Sequence, residues 1–217
     1  MSESYSLADL LRVMERLRDP ELGCPWDLDQ DFRSIVPSTL EECYELAEAR
    51  EHDDFPHGAE ELGDVLFQVV FYAQLGRERE LFNFESVVHT LVDKLVRRHP
   101  HVFADGEIEG VVGERTDVAD VKTTWEAIKQ EERHARQQTG ALADVPVALP
   151  ALPRAQKLQK RAARVGFDWR DVDGVLDKVE EEFRELRAAI ESGDSEGTAE
   201  EVGDLFFSLV NLSRHLK

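Results

Sequence analysis

The chain has 217 residues, 41% hydrophobic and 33% charged, which is enough to build a core and too apolar for a disordered polymer. Its formal net charge of -20 excludes generic binding to nucleic acid or to an anionic membrane surface. That charge suits a binder of metal cations, with any phosphate ligand entering as a metal complex.

The N-terminal MSESYSLADLLRVMERL lacks a basic-then-apolar leader, and Leu7, Leu10, Leu11, Met14 and Leu17 form one helical stripe ending near Asp19-Pro20. Cys24 and Cys43 have no paired spacing, so reduced thiols and a cytoplasmic protein are expected. Cys24 and Trp26, in GCPWD, read as a packed turn. Ser38, with Glu41 three residues on, predicts a capping box opening a helix that runs to about residue 50. After the punctuation at Asp53–Pro56 a second helix runs to about Gly76. Its Leu62, Val65, Leu66, Val69 and Ala73 form a stripe that Phe67, Val70, Phe71 and Tyr72 extend almost all round, so it reads as buried, with Asp64 at its head. Its apolar run, 65–75, is too short to span a membrane. Gly63 inside it predicts a close helix approach. A third helix spans 84–98, where His99 and His101 flank Pro100 at its end. A Gly-rich loop (104–113), a polar helix (117–138) and a Pro-rich linker (139–153) follow. Beyond these come a helix near 153–164, the turn VGFDW, and two further helices. The fold class is all-α.

Shifting the chain by 140 residues lays 41–73 on 181–213 without a gap, with 14 of 33 positions identical. The identities include Glu41/Glu181, Glu42/Glu182, Glu45/Glu185, Glu61/Glu201, Gly63/Gly203 and Asp64/Asp204. A duplicated helical module is expected: 1–138, then the linker, then 154–217.

On a helix, residues three or four apart share a face, so Glu42 projects with Glu45, Glu41 with Glu45, and Glu61 with Asp64. A short connection packs the two helices antiparallel and brings these carboxylates to one place, where they repel unless a cation sits among them. Hard oxygen ligands suit Mg²⁺, with Mn²⁺ as a substitute. A solvated acidic face is the alternative for an isolated EExxE; the ExxD partner, the apolar helix and the recurrence of the unit favour the metal. A di-iron bundle would need two ExxH pairs, and only Glu131–His134 has that spacing.

EExxE followed by ExxD resembles the signature of the all-α nucleoside triphosphate pyrophosphohydrolases. RLRDPELGCPWD (16–27), RRHPHVFAD (97–105), WEAIKQEER (125–133) and LPALPRAQKLQKRAARVGFDW (149–169) narrow the resemblance to MazG over nearly the whole chain. The resemblance implies a four-helix-bundle-like module that dimerises. It implies Mg²⁺-dependent hydrolysis of NTPs and dNTPs to the monophosphate and pyrophosphate, by metal-activated water at the α-phosphorus. Narrower hydrolysis of dUTP, dCTP or damaged nucleotides, and a non-catalytic dimerising member, are the alternatives.

Carried onto this chain, the metal ligands are Glu42, Glu45, Glu61 and Asp64, with Glu41 a further ligand or the group orienting the water. A second site is Glu182, Glu185, Glu201 and Asp204. Substrate-binding positions are Lys94, Arg97, Arg98, Trp125 and Lys129. For the three basic residues, complementing a helix dipole is the competing role; for Trp125 it is packing. The basic helix and Trp-Lys segment do not recur after the second acidic pair, which ends at LVNLSRHLK, so that copy reads as incomplete and activity is expected in the first half.

Overall fold

The computed structural model describes residues 4–111, 117–135 and 140–216, and for Lys122, Arg133 and His134 the backbone alone. Among the described residues the structure is helical, without strands. By their contacts the residues fall into two units, divided between Asp117 and Val118.

The first unit begins with α1 (Leu7–Leu17), opened by a reciprocal cap between Ser6 and Asp9. GCPWD is not only a turn. Pro25, with its φ preset and no N–H to satisfy, starts a short helix, α2 (Pro25–Asp29). Next is α3 (Val36–Glu51), whose start corrects the expected Ser38 capping box. Pro37 fits the first helical turn, so the helix begins two residues before Ser38, and the Asp31–Ser34 turn precedes it, with Ser34 N–H donating to Asp31 Oδ1 at 2.9 Å. α4 (Phe55–Glu78) is capped by Asp54, which accepts from His57 N–H, and α5 (Phe84–Arg98) by Asn83 with Ser86. His99 closes α5, its Nδ1 2.6 Å from the Leu95 carbonyl. A 3₁₀ turn at Ala104–Gly106 begins the expected loop, part of which (112–113) lies outside the described residues.

α4 packs against α1, α3 and α5. Met14, Ile35, Val70, Phe71 and Leu75 are fully buried, with Leu10, Leu11, Phe32, Phe67, Tyr72 and Phe84 against them. Arg18 reaches over the Phe71 ring at 5.3 Å and grips Glu78 through two bonds of 2.7 and 2.8 Å. One face of α4 thus forms the core. The expected all-round burial does not hold within the chain: Leu62, Leu66 and Val69 are exposed, and so is Asp64 at the head of the helix. The apolar residues outnumber the neighbours available to cover them. Nor does Gly63 mark a close approach, since a Cβ there would meet nothing within 4 Å.

The second unit contains α6 (Val118–Ala135), α7 (Ala151–Arg164), α8 (Val172–Ser192) and α9 (Ser195–His215). The polar helix expected at 117–138 is therefore grouped here with the second unit; its last three residues and the first linker residue lie outside the described residues. Arg164 holds α7 to α6 through Glu126, at 2.6 and 3.2 Å. α9 packs on both α7 and α8. No helix among the described residues is long and apolar enough to cross a membrane.

Candidate metal centres and the family they identify

Each acidic cluster is built by a helical hairpin whose turn sets the register. Glu45 and Glu61 lie eight residues either side of Asp53, and Glu42 and Asp64 eleven. Asp53 has φ 53°, the left-handed value that reverses the chain between α3 and α4. In the α8–α9 hairpin Gly193, with φ 72°, plays that part; Glu185 and Glu201 lie eight residues from it, Glu182 and Asp204 eleven. Equal arms put each pair level, and the i, i+3 spacing turns them to one side.

In the first hairpin, carboxylate oxygens of Glu42, Glu45 and Glu61 lie within 4.8 Å of one another. Glu61 is buried, 8% exposed, and its Oε2 has no hydrogen-bond partner. Its Oε1 is 3.3 Å from His57 Nδ1. Burial, then the charges of Asp64, Glu45, Glu61 and Glu41, push the Glu42 carboxyl above the ordinary carboxylate range. Burial and the neighbouring Glu61 and Glu41 raise Glu45 as well. Asp64 stands one turn from Glu61, close enough for its charge to act on Glu42. Glu41 is exposed.

In the second hairpin, Glu182, Glu201 and Asp204 bring oxygens within 4.8 Å of one another. Burial and the charges of Glu185, Glu182, Asp204 and Glu200 raise Glu201. Here a cation is already built in: Lys178 Nζ lies 2.8 Å from buried Glu182 and 2.7 Å from Glu181. The two glutamates raise the Lys178 ammonium's pKa, and Lys178 in turn holds Glu181 below the ordinary range.

Sequence reasoning missed both His57 and Lys178. The signal was available, since each stands four residues before the buried glutamate of its hairpin. The expected substrate residues divide between the units. Lys94, Arg97 and Arg98 occupy the last turns of α5 in the first, where Arg97 pairs with Asp93 at 2.9 Å. Trp125 and Lys129 lie on α6 in the second, the ammonium 5.5 Å from the indole centroid and 3.8 Å from Glu126. The His134 side chain of the ExxH pair lies outside the described residues.

A buried Glu61 with an unpaired oxygen, beside the half-buried Glu42 and the exposed Glu45 whose charges repel it, is compatible with a divalent cation. The comparisons with known proteins agree in kind. Residues 30–103 match the MazG nucleotide pyrophosphohydrolase domain. Over 209 residues the chain is 51% identical to the nucleoside triphosphate pyrophosphohydrolase of Escherichia coli K12, covering 95% of this chain and 77% of that protein. It is 45% identical over 208 residues to the nucleoside triphosphate pyrophosphohydrolase/pyrophosphatase MazG of Thermotoga maritima, covering 96% and 75%. The nucleoside triphosphate pyrophosphohydrolase of Mycobacterium tuberculosis is 35% identical over 74% of this chain and 46% of its own length. With an acidic hairpin of this register and relatives this similar over nearly its whole length, the chain belongs to the MazG nucleotide pyrophosphohydrolase family.

Proposed function

We propose that the chain hydrolyses nucleoside triphosphates to the monophosphate and pyrophosphate, with Mg²⁺ at the Glu42–Glu45–Glu61–Asp64 cluster. The observation that carries this reading is Glu61: a buried carboxylate with one oxygen unpaired, between two glutamates held above their ordinary pKa, in a chain of this family. Without a cation such a cluster is a liability that repacking would remove.

Mg²⁺ held by these carboxylates would supply a more acidic water and neutralisation of charge on the departing pyrophosphate. The chain's own residues do the rest. Glu42, Glu45, Glu61 and Asp64 hold the site, and His57, beside Glu61 Oε1, orients the buried carboxylate. Glu41, exposed at the edge, is the group to orient the water for in-line attack at the α-phosphorus. Lys94, Arg97 and Arg98 are proposed to meet the phosphates, and Trp125 with Lys129 the nucleotide. Glu182, Glu185, Glu201 and Asp204 form a second cation site, in which Lys178 competes with the ion for Glu182. The exposed Leu62, Leu66 and Val69 suit burial against a second copy, so a homodimer is proposed, in the cytoplasm.

Wild type with Mg²⁺ and a panel of NTPs and dNTPs tests the reading. Release of pyrophosphate is expected, and Glu45→Gln or Asp64→Asn abolishes it while leaving the fold intact. Orthophosphate as the first product refutes the reaction; loss only with Glu185→Gln or Asp204→Asn moves the activity to the second cluster.

A further inference from the structure

The register that places the first cluster's carboxylates continues one turn further. Counted outward from Asp53, the first two rungs between α3 and α4 are Glu45–Glu61 and Glu42–Asp64; the third, fourteen and fifteen residues out, is Thr39–Gln68. Thr39 stands three residues before Glu42 and Gln68 four after Asp64, about 5 Å along each helix axis. On this rung the two helices are joined by neutral groups. The Thr39 hydroxyl lies 3.3 Å from Gln68 Oε1, 3.3 Å from the Tyr72 hydroxyl and 3.0 Å from the Ile35 carbonyl one turn back. Its single proton is shared by the two carbonyl oxygens, and the Tyr72 O–H brings a proton of its own. Gln68 is buried, 4% exposed, and Tyr72 is anchored by stacking on Phe32 with ring centroids 6.1 Å apart.

Apolar packing holds α3 only loosely in place. Of its sixteen residues Ala49 alone is buried, while carboxylate oxygens of Glu42, Glu45 and Glu61 within 4.8 Å of one another press α3 away from α4. A hydrogen-bonded rung one turn away resists that spreading. It also fixes the rotation of each helix, because a hydrogen bond is directional where apolar contact is not. The second hairpin supplies the contrast. Its equivalent rung, counted from Gly193, is Val179 and Ser208, and the 140-residue shift lays Tyr72 on Leu212, so no such side-chain bond can form there. The repulsion in that hairpin is met by the Lys178 ammonium on Glu181 and Glu182, at a position where the first hairpin has Ser38. An ammonium occupies oxygens that an ion would use. A neutral rung one turn off leaves them available, and Glu61 Oε2 is unpaired.

We propose that Thr39 and Gln68, with Tyr72 behind them, are positioning residues that hold α3 and α4 at the separation and rotation a divalent cation requires, so that the first cluster is preorganised before the ion arrives. They act through Glu42 and Asp64, the carboxylates one turn away. The proposal rests on the reading above that the first cluster takes the cation.

The test uses the full chain carrying Asp204→Asn, which disables the second cluster, with Mn²⁺ as the probe and its free ion counted by electron paramagnetic resonance. Thr39→Val keeps the shape of the side chain and removes the hydroxyl, Gln68→Met and Tyr72→Phe remove the other polar atoms, and Thr39→Ser restores the hydroxyl. Thr39→Val and Gln68→Met are expected to bind Mn²⁺ at least about fivefold more weakly than the parent, and Thr39→Ser within about twofold of it. Circular-dichroism melts of the metal-free proteins are read alongside, since a rung that merely adds stability lowers Tm and leaves Mn²⁺ affinity unchanged. A folded Thr39→Val that binds like the parent, or Thr39→Ser as weak as Thr39→Val, overturns the proposal; should Thr39→Val not fold, the Gln68→Met and Tyr72→Phe titrations decide in the same terms. A parent that binds no Mn²⁺ defeats the cation reading of the first cluster and this inference with it. A parent that binds, with folded variants that bind equally well, defeats this inference alone.

Discussion

Replacing Glu61 by glutamine removes one charge from the first cluster and keeps the shape of the side chain. At 4.8 Å and an effective dielectric of about 20, two unit charges repel by about 3.5 kcal/mol. Glu42 is only half-buried, so solvent reduces its share to about 1 kcal/mol. Relief of an unpaired buried carboxylate adds about 1 kcal/mol, because an amide there can donate to the neighbouring oxygens. Metal-free Glu61→Gln is therefore expected to be about 1–2 kcal/mol more stable than wild type, a rise in Tm of roughly 3–6 °C. Magnesium reverses the order. At a concentration one hundred times its Kd, an ion stabilises wild type by about 2.7 kcal/mol, and the variant gains little. Circular-dichroism melts of both proteins, in EDTA and in Mg²⁺, measure the four values. A variant less stable than wild type in EDTA, or an equal magnesium shift in both, would refute the reasoning.

Further expectations follow from other contacts. Lys178→Met leaves Glu182 buried without its partner; the metal-free protein should lose about 1–2 kcal/mol, discounted for the half-exposed ammonium, and recover more than wild type on adding Mg²⁺. Asp53→Gly relieves a left-handed residue at the cost of a more flexible unfolded chain, so a gain of about 0.5–1 kcal/mol is expected in thermal melts, and a loss would contradict the turn's geometry. Arg214 and His215 hold Asp168 below the ordinary range, and at Glu78 the hydrogen bonds from Arg18 and Gln74 outweigh burial, which acts the other way. Both folded pKa values are depressed, so the stability they contribute is present above the ordinary carboxylate range and fades as pH falls below about 4. Denaturant melts between pH 6 and 3 should show a shallower acid loss in Asp168→Asn and Glu78→Gln. Glu42 and Glu45 run oppositely: their raised values make the metal-free protein lose stability as pH rises through them.

Local spacing carried much of this structure. The EExxE and ExxD pairs, the punctuation at Asp53–Pro56 and the 140-residue match locate both hairpins, because helix periodicity and turn chemistry act over a few residues. Burial is not local. Leu62, Leu66 and Val69 belong to the same apolar run as Val70 and Phe71, and only the packing of α1, α3 and α5 decides which of them are covered. The start of α3 was misread because Ser38 and Pro37 both mark helix beginnings and the proline's backbone restriction prevailed. Arg18–Glu78 and Asp168–Arg214 join residues 60 and 46 apart, a pairing that no periodicity announces. The Thr39–Gln68 rung was invisible for the same reason.

The central claim is that carboxylates from α3 and α4 hold a cation so that water attacks the α-phosphorus. Hydrolysis of an NTP in ¹⁸O-water, with Mg²⁺, reads it most directly. The isotope is predicted in the nucleoside monophosphate, with none in pyrophosphate and no product from Glu61→Gln. Label in pyrophosphate, or undiminished turnover by that variant, would contradict it.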